Sequence, residues 1–212
     1  MENLKDVFAS TMRKSKEVLD QFPWENSYAY AMWLKQTHHF VENSTRLIAL
    51  AGSRFTLEQN DYHRRFLEHC SEEISHEKLL IHDIKSLGFD PMELPVLAET
   101  AAFYQCQHYW IERVSPMSFY GYILFLEGLA ANHGKDITRR VVSQHGVRSA
   151  TFFKVHSEED ENHLEEAFTR LSQISKIDEL NIVQNFKQCS YFYLGFLKEI
   201  SKQPVLNKVS GL

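Results

Sequence analysis

The sequence predicts an all-α fold, a single bundle of about seven to eight helices. Three observations carry this. Only eight Gly and five Pro interrupt 212 residues. Long apolar segments recur at helical spacing, and the alternation expected of half-buried strands is scarce. A chain of this length can bury one continuous core and contains no stretch that reads as a linker. Residues 1–212 are therefore expected to form one domain, with 203–212 a frayed tail.

A first helix spans about Glu2 to Gln21 and ends before Pro23. A long one from Trp24 to about Arg54 carries Tyr28, Trp33, Phe40, Leu47 and Leu50. Thr56, with Gln59 three residues on, reads as a capping box opening a helix that runs unbroken to Leu87 and stops at Gly88, before Pro91. Pro95 to Val114 is the next helix. Ser115-Pro116 breaks it, and Pro116 suits the first turn of a helix running toward Gly134. Lys135 to Gln144 makes a short helix ended by Gly146. Ser149 to Ile174 makes a longer one, and Asp178 to Ser201 closes the chain with Phe186, Tyr193, Phe196 and Leu197 facing the core.

Charge and composition exclude several function classes. A net charge of −5 with scattered Lys and Arg provides no basic stripe for a phosphate backbone, so nucleic acid is not the expected partner. The most apolar stretch, Met117 to Ala131, is too short to span a bilayer and contains Glu127, so no membrane segment is expected. The N-terminus lacks the apolar run of a secretory signal and has early acids that a transit peptide would avoid. Cys70, Cys106 and Cys189 form no close-spaced motif and suit a reducing cytoplasm.

Two helical stretches carry the same triplet: His69, Glu73 and His76, then His156, Asp160 and His163, each a carboxylate between two imidazoles. At about 3.6 residues per turn, these spacings place each set within roughly 60° on one helix face. A single triplet is matched by ordinary surface pairing, and Glu158, Glu159, Glu161, Glu165 and Glu166 read as a solvated face. Glu127 shifts the balance. It lies among Leu124, Phe125, Leu126, Leu129 and Ala130, where an unpartnered carboxylate is costly to bury. The preferred metal set is Glu73, His76, Glu127, His156, Asp160 and His163. Imidazole and carboxylate donors without a cysteine cluster suit a redox metal. Three carboxylates against two ferrous ions leave a net charge of about +1, tolerable in a buried pocket. His69 reads as an outer group that orients the ligands. His38 and His39 adjoin an apolar face, where either could orient substrate, although a packed or exposed histidine is the commoner occupant. Tyr104, Tyr109, Trp110, Tyr120 and Tyr122 form an aromatic group near Glu127, more often core than substrate cradle.

The motif Glu-Glu-Ile-Ser-His-Glu-Lys at 72–78 followed by Leu87-Gly88, the tripeptide Leu126-Glu127-Gly128, the helix of His156, Asp160 and His163, and the softer stretch Trp33 to Phe40 resemble the haem-oxygenase-like diiron oxidases. Within that superfamily the chain looks like the iron-containing redox enzymes and the CADD-like proteins named for death-domain association. The resemblance covers most of the chain. It implies a haem-oxygenase-like bundle, two Fe2+ ions held by the six preferred residues, dioxygen as co-substrate, and a homodimer. It also implies oxidation of a small molecule by desaturation, N-oxygenation or carbon–carbon cleavage, in specialised metabolism. An amino-acid-like substrate is favoured over a fatty acid because Lys35, His38, His39 and Arg46 could meet a carboxylate. Two alternatives stand beside it: a helical interaction module without redox chemistry, and a cofactor-independent, thiaminase-like hydrolase or cyclase of the same fold. The haem-binding branch fits less well, since its proximal histidine lies near the N-terminus and the first histidine here is His38.

Overall fold

Most helix boundaries read from the sequence reappear in the computed structural model, which describes residues 3–203 and, for 157–163, the backbone alone. The helices are α1 (Leu4–Gln21), α2 (Ser27–Arg54), α3 (Asn60–Glu72), α4 (His76–Ser86), α5 (Ala98–Tyr109), α6 (Tyr120–Leu129), α7 (Lys135–His145), α8 (Thr151–Arg170) and α9 (Lys176–Ser201). No strand occurs among the described residues. The last nine positions, 204–212, carry most of the predicted tail and lie outside the described residues.

Local chemistry sets the starts. Asn3 accepts a hydrogen bond from the Asp6 N–H at 2.9 Å, and Asn26 accepts from Tyr28 and Ala29 at 2.9 and 3.0 Å. Thr56 and Gln59 form the predicted capping box, here on a 3₁₀ turn at Leu57–Gln59 that leads into α3. Pro116 occupies the first turn of a 3₁₀ segment feeding α6, and Gly146 ends α7 at φ 84°.

Two expectations are corrected. The helix predicted to run unbroken from Thr56 to Leu87 is interrupted at Glu73–Ser75, where Ser75 adopts φ 77° and separates α3 from α4. The first triplet therefore straddles a turn instead of lying mid-helix. Conversely, the stop predicted at Gly134 is absent. Gly134 is helical at φ −56°, and a π-turn at Ala130–Gly134 joins α6 directly to α7. A second π-turn, Trp110–Val114, ends α5. Each π-turn closes its hydrogen bonds one residue further along than an α-turn, which rotates the next stretch of backbone about the helix axis.

At the centre lies α6, in which every residue except Leu126 is buried, Glu127 included. It packs against α1, α8 and α9, while α2 covers the other side of the core against α3, α4 and α5. Gly121 permits the α6–α9 approach: a Cβ there would meet the Ile182 carbonyl and the Phe186 nitrogen at 2.6 Å. Buried Gln36 joins α2 to the start of α5, donating to the Pro95 carbonyl at 2.9 Å and accepting from Leu97 N and Thr100 Oγ1. Aromatic packing fills the space beside α8, with Trp33 and Phe153 stacked at 4.7 Å.

Candidate metal centre

Glu73, His76 and His156 converge from the α3–α4 turn and from α8, with one donor atom of each lying within 4.8 Å of the others. The break at Ser75 turns the chain so that Glu73 and His76 face one another, His76 Nδ1 standing 3.3 Å from Glu73 Oε2. Across the site the His76 and His156 rings pack edge to face, with centroids 4.9 Å apart.

His69 is more central than its sequence reading as an outer group suggests. Its Nε2 lies 3.6 Å from Glu73 Oε1 and 3.8 Å from Glu127 Oε1, so it spans the two carboxylates. His69 and Glu127 are both buried. The burial of Glu127 expected from its apolar neighbours is thus realised. Its place on α6 brings it beside His69 of α3.

The field at Glu73 has an identifiable origin. Burial pushes its carboxyl up, but the hydrogen bonds of His69 and His76 and the nearby His156 outweigh burial and hold it below the usual carboxylate range. Among the described residues the site presents carboxylate oxygen and imidazole nitrogen with no thiol turned toward it, for Cys70 donates to the Thr45 carbonyl at 3.4 Å. That donor set fits iron or another first-row ion. Asp160 and His163 lie on the α8 backbone, and their side chains fall outside the described residues.

The orientation of α8 depends on a residue absent from the sequence reading. Asp83 of α4 is fully buried and accepts from Thr151 N at 3.1 Å, Thr151 Oγ1 at 2.6 Å and Phe152 N at 3.0 Å. A carboxylate at a helix N-terminus satisfies amides that the helix leaves unpaired. Burial raises the Asp83 carboxyl against the lowering effect of these bonds. The available signal was an acid at helical spacing among Leu80, Ile84 and Leu87, the same argument that singled out Glu127.

A cavity of about 120 Å³ reaches His69, Glu73, Glu127 and His156 and is otherwise walled mainly by apolar groups of α2, α6 and α8. Lys35, His38, His39 and Arg46 do not line it. His38 and His39 gather instead around Glu42, with His39 Nδ1 3.1 Å from Glu42 Oε1, and form a second grouping whose donor atoms lie within 4.8 Å. Burial lowers both imidazoles below their ordinary value. Arg46 is exposed and donates to the Glu42 carbonyl. Of the predicted aromatic group, Tyr120 and Tyr122 are buried beside the site, whereas Tyr109 is exposed.

A family profile described as iron-containing redox enzyme matches residues 31–189, a span that contains every one of these acids and histidines. The chain belongs to the iron-containing redox enzyme family. Three solved structures share the architecture of this redox-enzyme chain. A domain of unknown function with a haem-oxygenase-like fold from Shewanella denitrificans aligns with TM-score 0.81 and 20% identity over 94% of this chain and 92% of that one. A TenA homologue from Pseudomonas syringae aligns at 0.70 with 11% identity over 92% of each chain. A TenA homologue from Pyrococcus furiosus aligns at 0.63 with 14% identity over 91% of this chain and 99% of that one. These likenesses establish the haem-oxygenase-like fold for this member of the redox-enzyme family. No curated protein matches the chain.

Proposed function

We propose that this protein is a non-haem diiron oxidase or oxygenase that uses dioxygen on a small, amino-acid-like substrate, by desaturation, N-oxygenation or oxidative carbon–carbon cleavage. One observation carries the reading: Glu73, His76 and His156 meet from two separate elements, with buried Glu127 reached through His69. The ligands would be Glu73, His76, Glu127, His156, Asp160 and His163. Two Fe2+ ions, when bound, would supply the electrons that reduce dioxygen.

The chain's own residues supply position and dryness. Glu73 stays ionised to hold a cation, and His69 orients Glu73 and Glu127 toward each other. Aromatic and aliphatic walls exclude bulk water from the reacting end of the substrate. A thiol-dependent, thiaminase-like reaction finds less support. Burial raises Cys70 and Cys189 and pushes Cys106 up to about 12, so none offers a thiolate near neutral pH. No helix of the described residues is long and apolar enough to cross a membrane. We place the enzyme in the cytoplasm, a reducing compartment that suits its three free cysteines.

The test is an anaerobic ferrous titration followed by oxygen. Two ions per chain and substrate-stimulated oxygen uptake are expected, with Glu127→Ala losing at least one ion and the uptake. Unchanged stoichiometry and unchanged uptake in Glu127→Ala would refute the dinuclear assignment.

A further inference from the structure

The cavity beside Glu73 and Glu127 is chemically lopsided. Its ionisable ends, His69, Glu73, Glu127 and His156, all lie at the metal side, and among the described residues its lining contains no lysine or arginine. Elsewhere the wall is hydrocarbon and aromatic, with Trp33, Phe40, Val41, Ile123, Phe152 and Phe153 prominent. Four hydroxyls interrupt it: Ser44 donates to the Phe40 carbonyl, Tyr193 accepts from Trp33 Nε1, and Tyr122 stands beside Ser44, which leaves Thr37. Thr37 is 1% exposed, and its Oγ1 has no hydrogen-bond partner among the described residues. Such an orphan is satisfied when a bound molecule supplies a polar atom.

Size sets a second limit. At about 120 Å³ the space is comparable to an engineered apolar protein cavity of about 150 Å³ that accepts benzene. A long alkyl chain would have to extend beyond it. An anionic group at the apolar end would find no counter-ion there, because Lys35, His38, His39 and Arg46 stand outside the lining.

We infer that the substrate buries an apolar group of one-ring size, bearing a neutral polar atom that meets Thr37, and presents its charged or reacting head to the Glu73–Glu127 end. This rests on the oxidase reading of the same site. It narrows the amino-acid-like class to molecules with a compact aromatic or branched side chain. Thr37 becomes the specificity-determining residue, and the pair Trp33 and Phe153 the ring platform.

The test uses the full chain freed of metal and ¹⁹F NMR titration with 4-fluorophenol, fluorobenzene and, as a competitor, dodecanoate. Saturable 1:1 binding of both fluoroarenes is expected, the phenol binding about five-fold tighter through one additional hydrogen bond. Thr37→Val, nearly isosteric, should erase that advantage and leave fluorobenzene binding intact. Val41→Phe, checked for native helicity, should weaken both probes at least ten-fold by filling the space. No saturable binding to wild type, a phenol advantage that survives Thr37→Val, or displacement by dodecanoate at lower concentration than 4-fluorophenol overturns the inference. Failed probe binding in protein that still loads two ferrous ions removes this inference alone. Intact probe binding in protein that loads no iron removes the oxidase reading alone.

Discussion

Ser75, a serine in the left-handed region, stands between Glu73 and His76, and the site geometry depends on it. At φ 77° its Cβ crowds the following carbonyl, a cost of about 1–2 kcal/mol for an L-residue. The conformation persists because both flanks are held: Glu73 N–H bonds to the His69 carbonyl at 3.1 Å, and Lys78 N–H to the Ser75 carbonyl at 3.1 Å. A continuous helix through these positions would not make this turn. Ser75→Gly removes the clash and frees the unfolded chain, the second effect returning about 0.5–1 kcal/mol. The expected net gain is up to about 1 kcal/mol, read as a higher urea midpoint at unchanged slope. A loss exceeding about 1 kcal/mol would mean that the hydroxyl, which accepts from Lys78 Nζ at 3.0 Å, matters more than the strain.

Two contacts between elements determine where the site residues of α6 and α8 stand. The first is Asp83, whose carboxylate receives the opening amides of α8 about one and a half turns before His156. Asp83→Ala strands those donors in a buried setting and should lower stability by about 2–4 kcal/mol, with iron loading weakened through a displaced His156. Asp83→Asn, which keeps one acceptor oxygen, should recover part of both. Native stability and loading in Asp83→Ala would show that α8 is held by packing alone. The second is Gly121, where an added methyl meets the α9 backbone, which cannot rotate aside as a side chain can. Gly121→Ala should cost about 1–3 kcal/mol and move α6, hence Glu127, off its seat. Thermal unfolding together with the iron stoichiometry checks this, and a native melting point would place the slack in α9. Helix existence was legible in the sequence, because apolar periodicity with Pro23, Thr56, Pro116 and Gly146 is local information. The break at Ser75 was not, since Ile74-Ser75-His76 contains no Gly or Pro to mark a turn. The π-turns were equally hidden, as Gly134 carried a stop signal that tertiary packing overrides. Of the candidate site, Glu73, His76 and His156 were singled out by residue type and Glu127 by its apolar neighbours, whereas the side chains of Asp160 and His163 lie outside the described residues. The cavity was not legible, because a wall residue such as Phe153 and a core residue such as Phe186 share the same periodicity.

At the scale of the whole molecule, half-buried histidines couple the fold to pH. His133, at the α6–α7 π-turn, faces the Met12 carbonyl of α1 through Nε2 at 3.2 Å, and His38 and His39 gather at Glu42 on α2. For each, burial is the largest influence and lowers the imidazole from its ordinary value of 6.5; the Met12 carbonyl opposes it at His133 and Glu42 at His38. Proton linkage fixes the sign. As pH falls, the unfolded chain takes up these protons first, so stability is full above 6.5 and declines as pH drops through the lower folded values. Glu73 acts in the same direction at still lower pH, since its depressed carboxyl stabilises the fold above the ordinary carboxylate value and loses that contribution on protonation. The metal-free protein should therefore denature at a lower urea concentration at about pH 5.5 than at about pH 7.5. His133→Gln should flatten part of that slope, because an amide can donate to the same carbonyl without titrating. A flat profile in the wild type, or one that rises toward acid, would mean that these imidazoles accept protons in the folded state as readily as in the unfolded chain, and that the packing of α1 against the π-turn opens before it titrates.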